Sequence, residues 1–181
     1  MGRIIAIVGM CGSGKSIASE KLEKLGFKKV YFGGVTFDKL KEAGIEANPQ
    51  NEKMMREKLR SELGMGAYAI ILTPKIKELA LNNDVVLDGL YSWDELKLLK
   101  DAFPNLVVIS IVADKNLRYS RLGLRSVRPF TKEEAVARDI AEIENVAKAG
   151  PIAFADYFIF NNSTVEDFYD RLDEILKAIE A

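Results

Sequence analysis

The sequence predicts an α/β protein in which helices pack on both faces of a parallel β-sheet. Short apolar runs alternate along the chain with longer segments of helical pattern, which is typical of this fold class. The runs are continuously apolar, as expected of strands that are buried on both faces. A weaker run covers Lys29–Phe32. The four clear runs are Ile4–Val8, Val85–Leu87, Leu106–Val112 and Tyr157–Phe160.

Capping boxes mark the starts of three predicted helices. In each box a Ser or Thr precedes a Glu by three residues, and both side chains can bind backbone N–H groups of the first turn. The boxes begin at Ser92, Thr131 and Ser163. The last helix has apolar residues at helical spacing, which predicts a face that packs against the core. These residues are Val165, Phe168, Leu172, Ile175, Leu176 and Ile179.

Length and composition predict one globular domain over residues 1–181. A chain of 181 residues buries roughly 70% of its unfolded surface when it folds. The net charge of −1 argues against a nucleic-acid partner, because binding to phosphate backbones requires a basic excess. The sequence contains no histidine, so any catalysis depends on carboxylates, Lys, Arg and Mg²⁺.

The same features predict a cytoplasmic protein without a membrane partner. No apolar run approaches the ~20 residues that a bilayer span needs. The first predicted strand begins at Ile4, which leaves no room for a signal peptide. Cys11 is the single cysteine and cannot form a disulfide within the chain, as expected in a reducing cytosol.

A phosphate-binding motif lies between the first strand and the first helix. Residues 9–16 match the P-loop pattern G-x-x-x-x-G-K-[ST], whose glycines let backbone N–H groups surround an anion. Lys15 is predicted to reach the β- and γ-phosphates of ATP, and the Ser16 hydroxyl to ligate Mg²⁺. The predicted nucleotide-binding residues of the loop are Gly9, Cys11, Gly12, Ser13, Gly14, Lys15 and Ser16.

An acidic residue ends the strand predicted at Val85–Leu87. A carboxylate at this position, Asp88, can hold the water shell of Mg²⁺ beside the P-loop, which is the Walker B role. The simpler interpretation is a solvated aspartate at a strand end. The P-loop upstream favours the metal-binding role, so Ser16 and Asp88 are the predicted metal site.

Four arginines between residues 117 and 129 predict a lid over the triphosphate. Arg118, Arg121, Arg125 and Arg128 fall within about 80° on one helical face, if the helix continues that far. Guanidinium groups clamp phosphate and stack on bases, so we expect a lid over about residues 117–140. The alternative is a solvated basic stripe paired with Asp114 or Glu133. Arg138 is a candidate second lid arginine, with Asp139 as its structural partner.

Residues 36–81 have a helical pattern without a clear strand. Within them, Lys53, Arg56 and Arg60 share one helical face. They could form exposed pairs, such as Glu52 with Arg56, or clamp an anionic acceptor. Their position between two strands favours the clamp. We predict Arg56, Arg60 and Tyr91 as substrate-binding residues.

Together these motifs resemble dephospho-CoA kinase and the related nucleoside monophosphate kinases. The P-loop, Asp88-Gly89, the Arg121-Leu122-x-x-Arg125 spacing and the segment Ala155–Asn162 carry the resemblance, which spans nearly the whole chain. The chain is most similar to archaeal and bacterial P-loop proteins that are called dephospho-CoA kinase-like or adenylate kinase-like.

The resemblance implies a three-layer α/β/α fold of the P-loop NTPase type, with a five-stranded parallel sheet in the order 2-3-1-4-5. It places the acceptor site in the helical insertion of residues 36–81. Arg121 would pack against adenine and Arg125 would contact the phosphates. Asn161 and Asn162 would border the adenine. Lys15, Asp88 and Arg125 are the implied catalytic residues.

The sequence departs from both kinase types. Monophosphate kinases have a Gly-Asp-x-x-Arg pattern where this chain has Gly33–Phe37, and an arginine after Asp-Gly where it has Leu90-Tyr91. Dephospho-CoA kinases have an aspartate near the end of the second strand, and here only Asp38 or Asp88 could serve. We therefore predict an ATP- and Mg²⁺-dependent phosphotransferase with a small anionic, nucleotide-like acceptor. The alternative is a nucleotide-binding ATPase or switch that acts with a protein partner.

Overall fold

The computed structural model describes residues 1–180, and the side chains of residues 1–179. Five parallel strands form one sheet in the order β2-β3-β1-β4-β5, which confirms the predicted fold class and strand order. The strands are β1 (Ile4–Val8), β2 (Lys28–Tyr31), β3 (Val85–Asp88), β4 (Val107–Val112) and β5 (Tyr157–Phe160). The helices are α1 (Lys15–Lys24), α2 (Gly34–Glu42), α3 (Pro49–Leu63), α4 (Ala67–Ala80), α5 (Trp93–Ala102), α6 (Lys115–Gly123), α7 (Lys132–Glu144), α8 (Ala149–Ala153) and α9 (Val165–Glu180).

The central strand β1 contributes to a separate core on each face of the sheet. Ile4, Ala6 and Val8 pack with residues of α2–α5, whereas Ile5 and Ile7 pack with α1 and α9. Successive side chains of a strand point to opposite faces, so a continuously apolar strand must be covered on both sides. This requirement produces the three layers, and it explains why the apolar runs of the sequence predicted the strands.

Two of the predicted capping boxes begin where expected and the third does not. The boxes at Ser92 and Thr131 are formed with both reciprocal hydrogen bonds. The third prediction is wrong by one residue, because Thr164 Oγ1 accepts from the backbone N–H of Asp167 at 3.2 Å. Asp167 in turn accepts from the N–H of Thr164, so aspartate replaces the expected glutamate.

The predicted core face of α9 is mostly correct. Four of its residues are buried against the sheet: Phe168, Leu172, Ile175 and Leu176. Ile179 is partly buried against the same core. Val165, the first residue of the helix, is 46% exposed and does not belong to that face.

The long excursion between β2 and β3 is helical, as predicted. It consists of α2, α3 and α4, whose apolar residues join the core on one face of the sheet. Among residues 1–180, no helix is both long and apolar enough to span a lipid bilayer.

Candidate nucleotide-binding site

The loop between β1 and α1 has the geometry of an anion-binding turn. Gly9, Gly12 and Gly14 all have positive φ, at 147°, 80° and 101°. A Cβ on Gly12 would lie 2.7 Å from the carbonyl oxygen of Arg118, and a Cβ on Gly14 would overlap the Asn161 side chain. Glycine is therefore required both for the backbone angles and for the close approach of neighbouring segments. The first turn of α1 follows directly, so its free N–H groups point toward the loop.

Lys15 lies across this loop in a largely dehydrated position. Its Nζ donates to the carbonyl oxygen of Met10 at 3.1 Å. The pKa of Lys15 is lowered to about 8, mainly by burial; the nearby ammonium of Lys148 acts in the same direction, and Glu142 opposes it. Because burial disfavours the charged form of this lysine, a bound anion beside it would stabilise that form and raise its pKa again. The Ser16 side chain is exposed beside it.

Asp88 ends β3 next to the P-loop strand. Asp88 lies opposite Ile7 in the pairing of β3 with β1, and its Oδ2 accepts a hydrogen bond from Ser19 Oγ at 3.2 Å. Lys29 Nζ lies 3.5 Å from the same oxygen. Ser19 is one helical turn beyond Ser16, so the carboxylate is held against the start of α1. Mg²⁺ usually takes one or two protein oxygens with phosphate oxygens and water, and the oxygen groups of Ser16 and Asp88 fit that donor set.

The predicted lid arginines do not share one helical face. α6 ends at Gly123, so Arg125 and Arg128 lie in the loop that follows. Arg128 has a φ of 51°, and its guanidinium lies 4.0 Å from Glu52 of α3. Arg125 Nη2 lies 3.9 Å from Cys11 Sγ, which places this exposed arginine beside the P-loop.

Arg118 has a structural role that the sequence did not reveal. Its guanidinium donates to both carboxylate oxygens of Asp139, at 2.9 and 2.6 Å, and Tyr119 Oη donates to the same carboxylate. Arg118 Nη1 also donates to the carbonyl oxygen of Cys11 at 2.9 Å. Arg118 therefore pairs with neither Asp114 nor Glu133, the partners that the alternative interpretation predicted. This buried group connects α6, α7 and the P-loop.

Arg121 contacts the first of the two asparagines that follow β5, and that asparagine contacts the P-loop. Arg121 Nη2 donates to the carbonyl oxygen of Asn161 at 2.9 Å, and its Nη1 is buried without a partner among residues 1–179. Asn161 Nδ2 donates to the carbonyl oxygen of Ser13 at 2.8 Å. Asn162 Oδ1 accepts from the N–H of Asp114. The structure thus brings Arg121 and Asn161 together at the P-loop, whereas Asn162 contacts the residue that precedes α6.

A second buried charge cluster borders the site. Lys148 is 1% exposed, and its Nζ donates to Glu142 at 2.7 Å and lies 4.6 Å from the centre of the Tyr91 ring. Arg138 Nε donates to the other oxygen of Glu142 at 3.0 Å, so Asp139 is not its partner as predicted. Ala147, with a φ of 50°, precedes the lysine. The sequence does not single out Lys148 and Glu142, because no motif or periodicity distinguishes them from other charged residues.

Comparisons with known proteins identify the family and the fold of this chain. A family model described as an AAA domain matches residues 5–143. The UPF0200 protein of Pyrococcus abyssi (strain GE5 / Orsay) is 35% identical over 97% of this chain and 96% of its own length. The UPF0200 protein of Thermococcus onnurineus (strain NA1) is 33% identical over 98% of both chains. The chain belongs to the UPF0200 family and contains an AAA domain.

Two solved structures share the fold of this UPF0200 protein. TT1252 from Thermus thermophilus superposes with a TM-score of 0.69 at 18% identity, over 98% of this chain and 97% of that one. Shikimate kinase from Bacteroides thetaiotaomicron superposes with a TM-score of 0.61 at 14% identity, over 97% and 98% of the two chains. At these identities the likeness establishes the fold, which is of the P-loop kinase type.

The predicted acceptor residues of the UPF0200 protein lie in two places. Arg56 Nη1 is 3.7 Å from Glu52, which is the simple helical pair that the sequence offered as an alternative. The guanidinium of Arg60 lies 5.6 Å from the centre of the Tyr68 ring. Tyr91 lies under Lys148, and burial raises the pKa of its hydroxyl above the usual range. Among residues 1–179, no hydrogen bond or ring contact joins either arginine to Tyr91.

Proposed function

We propose that this protein is an ATP- and Mg²⁺-dependent phosphotransferase of the dephospho-CoA kinase or nucleoside monophosphate kinase type. One observation carries the proposal: the P-loop after β1 and Asp88 at the end of the adjacent strand β3 lie side by side. Parallel α/β sheets bind ligands at this edge, beyond the carboxyl ends of their strands. The acceptor is a small, anionic, nucleotide-like molecule that binds near Arg56, Arg60 and Tyr91.

Catalysis consists of alignment and charge neutralisation. Lys15 and the P-loop N–H groups hold the phosphates of ATP, and Arg125 neutralises charge that develops on the transferred group. The acceptor oxygen forms a bond to the γ-phosphorus while the bond to the bridging oxygen breaks, and ADP leaves. Mg²⁺, held by Ser16 and Asp88, supplies further charge neutralisation when it is bound.

The remaining predicted residues bind the nucleoside part of ATP. Arg121 packs on the adenine, and its buried Nη1, which has no partner among residues 1–179, supports a ligand there. Asn161 and Asn162 border the same ring. The lid of residues 117–140 closes over the triphosphate and excludes water, which limits hydrolysis of ATP.

A screen of phosphoryl acceptors tests this proposal. We expect release of ADP from Mg-ATP to rise severalfold with one member of a panel that contains dephospho-CoA, AMP, GMP, CMP, UMP and shikimate. The phosphorylated acceptor should accumulate in equal amount to ADP, as measured by mass spectrometry. Stimulation by no small molecule, combined with stimulation by a purified protein partner, would contradict the proposal.

The alternative function is a nucleotide-dependent ATPase or switch that acts with a protein. It is favoured by the residues that this chain has at the positions where monophosphate kinases have acceptor-binding arginines. Phe37 stands at one of them, and the residue after Asp88-Gly89 is Leu90, which is 1% exposed. Neither side chain can bind a phosphate, so an acceptor phosphate must use other residues such as Arg56.

Nucleotide affinity is expected to depend on pH through Lys15. Burial lowers the pKa of Lys15 to about 8 in the free protein, and bound phosphates favour the charged form. Above pH 8 the ATP-bound protein therefore holds more protons than the free protein. Affinity for ATP falls as the pH rises, and at pH 9 it should be about tenfold lower than at neutral pH. Calorimetry in two buffers of different ionisation enthalpy should detect proton uptake at pH 9. Lys15→Arg, which does not titrate in this range, should flatten the dependence; an unchanged slope would contradict the assignment.

A further inference from the structure

Lys29 on β2 lies between the candidate metal-binding carboxylate and a second carboxylate. Its Nζ is 3.5 Å from Oδ2 of Asp88 and donates a hydrogen bond to Oε2 of Glu23 at 3.1 Å. The shorter contact is therefore the one to Glu23, which lies near the end of α1. The side chains of Lys29, Glu23 and Asp88 are 26%, 42% and 15% exposed, so water and ions can reach all three.

The pairing of the strands places Lys29 beside the candidate metal site. Lys29 lies opposite Val86 in the parallel pairing of β2 with β3, two positions before Asp88. Alternate residues of a strand point to the same face, and Val86 packs there against residues of α1, so Lys29 and Asp88 both face α1. That helix carries Ser16 at its start and Glu23 near its end. The fold therefore brings the lysine and the two carboxylates to one face of the sheet.

One carboxylate oxygen of Asp88 is available to a ligand. Its Oδ2 receives both contacts of the carboxylate, from Ser19 Oγ at 3.2 Å and from Lys29. Its Oδ1 forms no hydrogen bond or ion pair among residues 1–179. The ammonium of Lys29 repels any divalent cation that approaches Oδ1, because the two positive charges would lie on opposite oxygens of one carboxylate. A cation can bind tightly there only if the lysine moves away.

We propose that Lys29 is the counter-ion of Asp88 in the metal-free protein and passes fully to Glu23 when a divalent cation binds. Glu23 already has the shorter contact, so the transfer needs only a small movement of a flexible side chain. The lysine lowers the affinity of the site for Mg²⁺, and Glu23 limits that loss. This inference rests on the proposed function, in which Asp88 is a metal-binding carboxylate, and it names two residues that set the affinity of that site.

The decisive variant is Lys29→Met, which removes the charge and keeps a long unbranched side chain. The quantity to measure is the ratio of the dissociation constants of ADP without and with saturating Mg²⁺, obtained by calorimetry. A unit positive charge next to a divalent ion, in a site that water and salt screen, changes the affinity for that ion by about three- to tenfold. We therefore expect the ratio to rise by about three- to tenfold in Lys29→Met.

Two control variants separate the charge of Lys29 from other effects. Lys28→Met removes the same charge from the preceding position of β2, which is exposed and forms no ion pair among residues 1–179. Lys29→Arg keeps the charge at the original position. Both variants should leave the ratio within about twofold of its original value, because distant surface charges are screened by salt and an arginine replaces the ammonium. Thermal unfolding without Mg²⁺ and nucleotide should show that all three variants fold.

Glu23→Gln tests the transfer of the lysine between the carboxylates. This variant should lower the ratio by about two- to threefold, because Lys29 is then left with Asp88 alone. Combined with Lys29→Met, the same change should alter the ratio by less than about 1.5-fold, since the effect of Glu23 depends on the lysine. Equal effects with and without the lysine would show that Glu23 acts on the cation directly, and would overturn the transfer.

The outcomes separate this inference from the proposed function. A lower ratio in Lys29→Met would show that the lysine merely holds Asp88 in place. That result or an unchanged ratio would overturn the inference and leave the phosphotransferase proposal standing. ADP binding that Mg²⁺ does not change in the unmodified protein would overturn both proposals. The expected rise, in a protein that transfers phosphate to no acceptor, would support the role of Lys29 and contradict the phosphotransferase.

Discussion

Replacing Lys15 with alanine is expected to lower ATP turnover by at least about 10²–10³-fold while the protein remains folded. The side chain lies on the P-loop, where its Nζ contacts only the carbonyl oxygen of Met10 among the hydrogen bonds described. Removing it deletes the cation that would meet the β- and γ-phosphates. It also removes the cost of a buried ammonium, which is reflected in its pKa of about 8. Stability should therefore not fall with activity.

Steady-state release of ADP and chemical unfolding, measured on the same preparations, would test this expectation. Lys24→Ala is a suitable control, because Lys24 is exposed near the end of α1. That variant should retain full turnover. Full turnover in Lys15→Ala would exclude the proposed mechanism, and loss of folding in the same variant would show that the lysine is structural.

Replacing Arg118 with alanine is expected to lower the free energy of unfolding by about 3–5 kcal/mol. The side chains of Arg118 and Asp139 are only 9% and 12% exposed, so the substitution leaves a nearly buried carboxylate without its main partner. The carbonyl oxygen of Cys11 also loses its donor. Because Arg118 joins the P-loop to α6 and α7, turnover should fall as well.

A variant without charges distinguishes the unpaired carboxylate from lost packing. The triple substitution Arg118→Met, Tyr119→Phe and Asp139→Leu replaces the polar group by apolar side chains of similar size. Removing both members of a buried ion pair is often neutral, so this variant should recover most of the stability that Arg118→Ala loses. Equal losses in urea unfolding of the single and triple variants would show that packing dominates.

The sequence by itself determined the layered fold and the nucleotide loop. Both are local patterns: continuously apolar runs must be covered on two faces, and the glycines of residues 9–16 precede a helix start in a fixed order. The resemblance to known kinases added the strand order, which the sheet confirms. Local physics also predicted two capping boxes correctly, because their partners are three residues apart.

Only the tertiary structure decided which charged residues meet. Arg118 reaches Asp139, 21 positions away, and the P-loop carbonyl of Cys11, 107 positions away. The predicted stripe of four arginines failed because α6 ends at Gly123, and a helical face exists only while the helix continues. A charged side chain looks the same in the sequence whether it is solvated, paired or left with a free atom, because burial and partners are set by segments distant along the chain.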